Sequence, residues 1–135
     1  MRFVILKGLE GFGDRLQCLL QAFHYCKATS RCLVVDWRDS DWTHDQSILF
    51  EYYFELEGIT SLSYPGFCKL LPFLGSISVF PKAWAPRLSD ALFEEFIRDP
   101  DYALPGNGAC INDIAIGITP DFDADVVVYP GIGPR

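Results

Sequence analysis

Lysine and arginine are scarce in this sequence: 135 residues contain 11 of them against 18 aspartates and glutamates, which gives a formal net charge of −7. Proteins that bind nucleic acid nonspecifically normally carry clustered basic side chains. The composition therefore argues against a DNA or RNA partner.

Apolar runs of membrane length are also missing. No stretch approaches the ~20 consecutive apolar residues that a membrane-spanning helix needs. The apolar run FVIL near the N-terminus has four residues, which is shorter than the core of a secretory signal. We therefore expect no membrane span and a cytoplasmic location.

Cysteine and histidine occur without the spacing of a metal site. The five cysteines are an odd number and include no Cys-x-x-Cys pair, which argues against a disulfide framework or a zinc site. His24 and His44 have no other ligands close in sequence. We expect no bound metal, and we expect the cysteines to be small buried side chains in a reducing compartment.

Apolar and aromatic residues are plentiful by contrast. Half of the residues are apolar and 15% are aromatic, so the chain is able to form a hydrophobic core. No linker or internal repeat interrupts it. We predict a single domain over residues 1–135.

The first 37 residues have the pattern of a β-strand, an α-helix and a second β-strand. The run RFVILKG is apolar and bounded by glycine, and RCLVVDW at 31–37 is a second run of the same kind. Between them, Asp14 and Gln17 have the spacing of a helix-capping pair, and the pattern predicts a helix over 14–28. This βαβ unit predicts an α/β fold with a parallel sheet.

The rest of the chain is less regular. Residues 48–58 fit a helix or a strand equally well, and residues 64–87 contain four prolines and two glycines, so we expect them to be mostly irregular. The pattern at 88–99 predicts a short amphipathic helix capped by Ser89. The run DVVVY at 125–129 predicts another buried strand that ends in a glycine turn.

The stretch GFGDRLQ at 11–17 is the first candidate site. It connects the first strand to the helix, so it exposes backbone N–H groups at a helix start, where an anion is favoured. Residues 1–35 also carry five basic residues against two acidic ones. The candidate residues are Gly11, Phe12, Gly13, Asp14 and Arg15. The turn is a phosphate site, a sugar-handling loop or only a tight connection.

A dinucleotide-binding domain is one alternative for this turn. Gly11 and Gly13 match the first two glycines of G-x-G-x-x-G, and Asp36 stands where a ribose-binding acid is expected. The third glycine position holds Leu16, whose side chain is expected to keep the helix away from the sheet. The fingerprint is therefore incomplete.

The end of the second strand is the second candidate site. Asp36, Trp37 and Arg38 follow one another there, at a sheet edge where α/β proteins bind ligands. Carboxylates accept hydroxyl hydrogen bonds and indole rings pack on sugar C–H groups, so the set suits a carbohydrate. The alternative is an Asp that caps a turn and a Trp in the core. No residue pattern identifies a catalytic nucleophile or base.

The 32 residues from Gly11 to Trp42 resemble the start of the nodulation-type and alpha-1,6-type fucosyltransferases, which transfer fucose from GDP-fucose to N-acetylglucosamine-containing acceptors. In that family a G-[FL]-G-[DN] turn and a helix rich in Leu and Ala precede T-x-R-x-L-x-[VI]-D-W-R. The second motif is present here as Thr29, Arg31, Leu33, Val35, Asp36, Trp37 and Arg38.

The resemblance implies a Rossmann-like, three-layer domain equivalent to the N-terminal, acceptor-side half of a GT-B glycosyltransferase. It implies GDP-fucose as donor substrate, direct displacement at the anomeric carbon and no cofactor. It also implies that the turn of residues 11–14 faces the cleft between the halves, where Arg15 could meet a phosphate or a sugar hydroxyl, and that residues 36–38 lie at the neighbouring strand end.

The donor-binding motif of the family, H-x-R-x-G-[DN], does not occur in this sequence. We therefore expect the chain to be incomplete as an enzyme and to need a donor-binding half, fused to it or in another chain. The alternative is a non-catalytic module that binds a carbohydrate or a nucleotide.

Overall fold

The computed structural model of the chain describes residues 1–118 and 121–131. Its centre is a sheet of five strands in the order β3-β2-β1-β5-β4, and every neighbouring pair is parallel. The strands are β1 Phe3–Gly8, β2 Cys32–Asp36, β3 Ser61–Ser63, β4 Val79–Phe80 and β5 Val126–Gly131. The predicted α/β fold with a parallel sheet is confirmed. The glycine turn predicted after the last strand falls largely on residues 132–135, outside the described residues.

Three α-helices accompany the sheet, together with short 3-10 turns. The helices are α1 Phe12–Thr29, α2 Tyr64–Leu70 and α3 Ala109–Ala115. The 3-10 turns are Phe50–Tyr52, Leu71–Phe73, Lys82–Arg87, Phe93–Glu95, Pro100–Tyr102 and Pro105–Gly108. No helix in the described part of the chain has the length and apolar character needed to cross a membrane.

Both faces of the sheet are covered. Alternate side chains of β1 point to opposite sides: Val4 and Leu6 pack with α1 and α3, whereas Phe3 and Ile5 pack with α2 and Trp84. Every residue of β1, β2 and β5 is buried, as expected for strands covered on two faces. The result is the three-layer arrangement that the resemblance implied.

The strand order places a switch point beside β1. From β1 the chain moves one way through β2 to β3, while β4 and β5 lie on the other side. In open α/β sheets, ligands bind outside the carboxyl ends of the strands at such a point. Helix α1 begins there, directly after β1.

Two local predictions on helices were wrong. Residues 88–99 form only the 3-10 turn Phe93–Glu95. One physical reason is that the Ala91 carbonyl accepts a hydrogen bond of 2.6 Å from the buried Lys7 Nζ, so a helix would compete with Lys7 for that carbonyl. Helix α1 is capped by Gly11 without a side-chain bond, and Asp14 lies inside its first turn.

The segment 64–87 is more ordered than its prolines suggested. Ser63 caps α2 by accepting a hydrogen bond from the Gly66 N–H, and Pro65 occupies the first turn, where it is tolerated. The segment 48–58, which the sequence left open between helix and strand, contains the single 3-10 turn Phe50–Tyr52.

Candidate functional site

The glycine turn, residues 11–14, is open to solvent. Gly11 has an extended backbone as the cap of α1, and Phe12 is the first residue of the helix. Gly11, Phe12 and Gly13 are exposed, with 51% of Phe12 accessible. The first N–H groups of a helix have no partner within it, so this turn presents free backbone donors at the carboxyl edge of the sheet. Asp14 is half-buried in the same turn.

Arg15 is buried beneath that turn and has partners within the protein. Its Nε donates to the Glu10 carbonyl at 2.9 Å, and both terminal nitrogens donate to the two carboxylate oxygens of Asp39. The guanidinium carbon lies 5.4 Å from the Trp37 ring centre and 5.6 Å from that of Trp42. Arg15 therefore ties the glycine turn to the loop that follows β2.

Asp36 lies in a second buried ion-pair cluster. It accepts hydrogen bonds from Lys7 Nζ at 2.7 Å and from Arg38 Nε at 2.6 Å, and the Arg38 guanidinium stacks 4.0 Å from the Tyr64 ring centre. Burial alone would raise the pKa of Asp36, but the Lys7 ammonium and the Arg38 guanidinium outweigh it and lower the pKa below its usual range. The carboxylate is therefore ionised, and its oxygens are engaged by Lys7 and Arg38.

Trp37 is part of the core. Only 1% of it is exposed, and its ring makes edge contacts with Trp42, Phe50 and Phe54 at centroid distances of 4.9–5.9 Å. A Cβ on Gly8 would overlap Trp37 Cδ1 and would lie 2.6 Å from Arg15 Nη1. The glycine at the end of β1 therefore makes room for this cluster.

Comparison with known proteins connects this geometry to a family. The family model for Nodulation protein Z (NodZ) matches residues 1–92. The chain belongs to that family. Nodulation protein Z of Bradyrhizobium diazoefficiens is 30% identical in an alignment of 116 residues, and the match covers 74% of this chain and 28% of the relative. The chain thus spans little more than a quarter of the length of that relative. No solved structure matches it.

The family match includes both candidate sites and the strands β1 to β4. It ends before α3 and β5, although β5 pairs with β1 along the whole of that strand. The predicted resemblance is thereby confirmed at the level of the family. The binding roles of the individual residues remain predictions.

The structure brings the eight predicted site residues to one edge of the sheet but in two environments. Gly11, Phe12 and Gly13 are open, and Asp14 is half-buried. The three ionic side chains, Arg15, Asp36 and Arg38, have partners within the protein. Trp37 lies in the core.

Leu16, at the third glycine position of a dinucleotide site, is 40% exposed. The acid that such a site would use, Asp36, is instead paired with Lys7 and Arg38.

Sequence reasoning missed the role of Lys7. A lysine inside an otherwise apolar strand was the available signal, because a buried ammonium needs a counter-charge. Lys7 is 1% exposed and joins β1, β2 and the Ala91 carbonyl. It thereby fixes Asp36, one of the predicted site residues.

Three of the five cysteines, Cys18, Cys26 and Cys32, are buried as predicted, whereas Cys68 and Cys110 are only partly buried. All five cysteines are free, and burial raises the pKa of Cys18 to about 11 and that of Cys26 to about 12. Protonated thiols are poor nucleophiles and poor metal ligands. Within residues 1–118 and 121–131 no group of three or more His, Cys, Asp or Glu is placed to hold a metal ion.

Proposed function

We propose that this chain is the N-terminal, acceptor-side domain of a fucosyltransferase-like enzyme of GT-B architecture. Its donor would be GDP-fucose and its acceptor an N-acetylglucosamine-containing glycan. The observation that carries the proposal is membership of the Nodulation protein Z family over residues 1–92, a range that contains both candidate sites.

The glycine turn is the proposed point of contact with the nucleotide sugar. Its free N–H groups and the positive end of the α1 dipole favour oxygen acceptors, and the half-buried Asp14 carboxylate adds an acceptor for sugar hydroxyls. The turn lies at the switch point of the sheet, where ligands of α/β proteins bind.

Arg15, Asp36, Trp37 and Arg38 have a supporting role in this proposal. Arg15 fixes the turn through the Glu10 carbonyl, and Arg38 with Lys7 fixes the end of β2 through Asp36. Rigid support of this kind keeps a binding surface in one geometry, which lowers the ordering cost of binding.

Neutralisation of the pyrophosphate is assigned to a partner domain. The guanidinium groups of the two candidate sites, Arg15 and Arg38, are both held by carboxylates. A leaving pyrophosphate needs preorganised positive charge, and such electrostatic stabilisation usually contributes more to catalysis than any other effect. We therefore propose that a donor-binding half, fused or in another chain, supplies it and completes the enzyme.

A non-catalytic binding module is the second candidate. The same internal pairing of Arg15 and Arg38 favours it, because a domain without a free cation at this point can hold a sugar without activating a leaving group. Such a module would bind glycan or nucleotide and release no GDP.

Ligand titration followed by amide NMR separates these functions. For the proposed domain we expect GDP-fucose to shift the amide signals of residues 11–14 at millimolar concentrations, and NAD to leave them unchanged. GDP release with a chitooligosaccharide should appear only when a donor-binding half is present. Shifts with NAD alone would favour the dinucleotide-binding domain. Unchanged amide signals of residues 11–14 with GDP-fucose would refute the proposed role of the turn.

A further inference from the structure

An apolar patch lies on the outer side of helices α1 and α3, which pack against one another on one face of the sheet. Its large apolar side chains are 40–68% exposed; they are Leu16, Leu20, Ile116 and Ile118. A shallow groove of about 310 Å³ runs between the two helices, and Leu20 and Ile116 both contribute to its lining. The patch therefore consists of a ridge on α1 beside a groove.

The two segments that form the patch contain no charged residue. Residues 16–26 of α1 and residues 114–118 at the end of α3 include no Asp, Glu, Lys or Arg, although 21% of the whole chain is charged. The solvent side of a surface helix normally carries charged side chains. Exposed apolar side chains without charges between them are typical of the centre of a protein–protein interface, where charged residues are depleted.

The charges at the two ends of α1 are of opposite sign. Asp14 lies in the first turn, the exposed Lys27 lies in the last turn, and Leu20 is about midway between them. A second copy of α1, packed antiparallel with Leu20 at the two-fold axis, therefore brings the partner's Lys27 to the level of Asp14. It also brings the partner's His24 to the level of Leu16. A parallel arrangement would instead bring like charges together, which is unfavourable.

We propose that this chain forms a symmetric dimer through the α1–α3 patch, with the two α1 helices antiparallel. The same surface then serves both copies, as a two-fold interface requires. Leu16, Leu20 and His24 follow one another at a spacing of four residues and so form the type of ridge that packs into the groove of a facing helix. The apolar side chains provide the affinity, and the charges at the helix ends set the orientation.

The dimer goes beyond the proposed function and does not depend on it. The free N–H groups at the start of α1 point along the helix axis, whereas the patch lies on the side of the helix, so the glycine turn stays open in the dimer. An anionic lipid surface is a poorer occupant of the patch, because such surfaces attract clustered basic residues and the two segments of the patch contain none.

Sedimentation equilibrium of the 135-residue chain tests the dimer, with a reductant present because all five cysteines are free. We expect the mass to rise from 15.2 kDa towards twice that value between about 10 µM and about 1 mM, since small interfaces associate weakly. Leu20→Glu places two carboxylates near the two-fold axis and should weaken the dimer at least about tenfold. Phe73→Glu is the matched control and should change the dissociation constant less than about twofold, because the exposed Phe73 lies beyond α2, on the other face of the sheet.

A second pair of variants tests the orientation of the helices. Lys27→Glu should weaken the dimer about threefold or more, because it replaces an attraction to Asp14 by a repulsion at both ends of the interface. Lys69→Glu makes the same charge change at an exposed lysine of α2, away from the patch, and should have a smaller effect.

A mass that stays at 15.2 kDa up to the highest concentration would overturn the proposal and would leave the patch to another domain. A dimer that is unaffected by Leu20→Glu, or that is weakened equally by Phe73→Glu, would also overturn it. Equal effects of Lys27→Glu and Lys69→Glu would overturn the antiparallel arrangement. Circular dichroism spectra that match those of the unmodified chain exclude unfolding as the cause of a weaker dimer.

Discussion

Arg15 illustrates how a residue with the chemistry of a ligand contact can serve the fold. The guanidinium group is 2% exposed, and its fork is matched by the two oxygens of Asp39 and by the Glu10 carbonyl. Two tryptophan rings enclose it. These contacts depend on the planar shape of the guanidinium group as well as on its charge. The ammonium group of a lysine is therefore not an equivalent replacement.

Arg15→Lys should therefore lower the free energy of unfolding by about 2–4 kcal/mol, because lysine cannot satisfy Asp39 bidentately and leaves part of a buried charge uncompensated. Urea unfolding at neutral pH measures the change. Arg98→Lys, at an exposed arginine, is the control and should change stability by less than about 0.5 kcal/mol. A stability of Arg15→Lys equal to that of the control would contradict the structural role.

Asp121 is the second residue with a charge-dependent role. It accepts hydrogen bonds from Arg2, Tyr25 and Arg31, and so joins the start of β1 to the segment before β5. Burial alone would raise its pKa, but the Tyr25 hydroxyl and the two guanidinium groups outweigh it and lower the pKa.

Acid should lower the free energy of unfolding by protonating the Asp121 carboxylate. Its pKa is lower in the folded than in the unfolded state, so its stabilisation is present above the unfolded value, ~3.9, and is lost as the pH falls through the folded value. Asp121→Asn should cost about 1–3 kcal/mol at pH 7 and should flatten the loss of stability as the pH falls below about 4. Urea unfolding across that range measures it, and an unchanged slope in the variant would refute this assignment.

At the level of elements, two glycines around the β1–α1 connection differ in the space available for a side chain. A Cβ at Gly8 would overlap Trp37, whereas a Cβ at Gly13 would meet nothing within 4 Å. Gly13 lies inside α1, where glycine is less favourable than alanine.

Gly13→Ala should raise the free energy of unfolding by about 0.5–1 kcal/mol. Gly8→Ala should lower it by about 1–3 kcal/mol, because the added methyl group overpacks the Trp37 and Arg15 cluster. Thermal or urea unfolding of the two variants checks both signs. A destabilised Gly13→Ala would show that the turn is constrained by something other than helix propensity.

The sequence predicted those elements whose pattern is local. β1, α1, β2 and β5 are long apolar or amphipathic runs, and all four occur near their expected positions. The helix expected at 88–99 does not form, and Lys7, more than 80 residues away in the chain, occupies its Ala91 carbonyl. A local pattern contains no information about such a distant partner.

At the scale of the whole molecule, the site was predictable only in part. The glycine turn and the end of β2 are continuous motifs, and the parallel βαβ unit brings them to one edge. A groove of about 280 Å³ is lined by β2, β3 and the segment 50–56, and two of its walls are brought together by the pairing of β3 with β2 at the sheet edge. Likewise, the internal pairing of Asp36 with Lys7 required the register of β1 against β2.

The fold also depends on residues beyond the family match. β5 lies next to β1 in the middle of the sheet and contributes Val127 and Val128 to opposite cores. A chain ending at residue 92 would leave one edge of β1 unpaired and both cores incomplete.

We therefore expect residues 1–92 alone to lack a cooperative unfolding transition, although they contain both candidate sites. Circular dichroism during thermal unfolding and the dispersion of the amide spectrum check this, with the 135-residue chain as reference. A folded fragment of residues 1–92 would show that β5 is dispensable.

The proposed function requires the backbone donors at the start of α1 to contact the nucleotide sugar, and Phe12 allows one donor to be removed selectively. Phe12→Pro deletes the N–H at the first helical position, where proline is well tolerated, while Phe12→Ala removes the same ring and keeps the N–H. The decisive measurement is the affinity of the two variants for GDP-fucose, read from the amide signals of the turn. We expect binding about fivefold weaker in Phe12→Pro than in Phe12→Ala, the equivalent of about 1 kcal/mol; equal affinities, or no GDP-fucose binding at the turn in the unmodified chain, would refute the proposed contact.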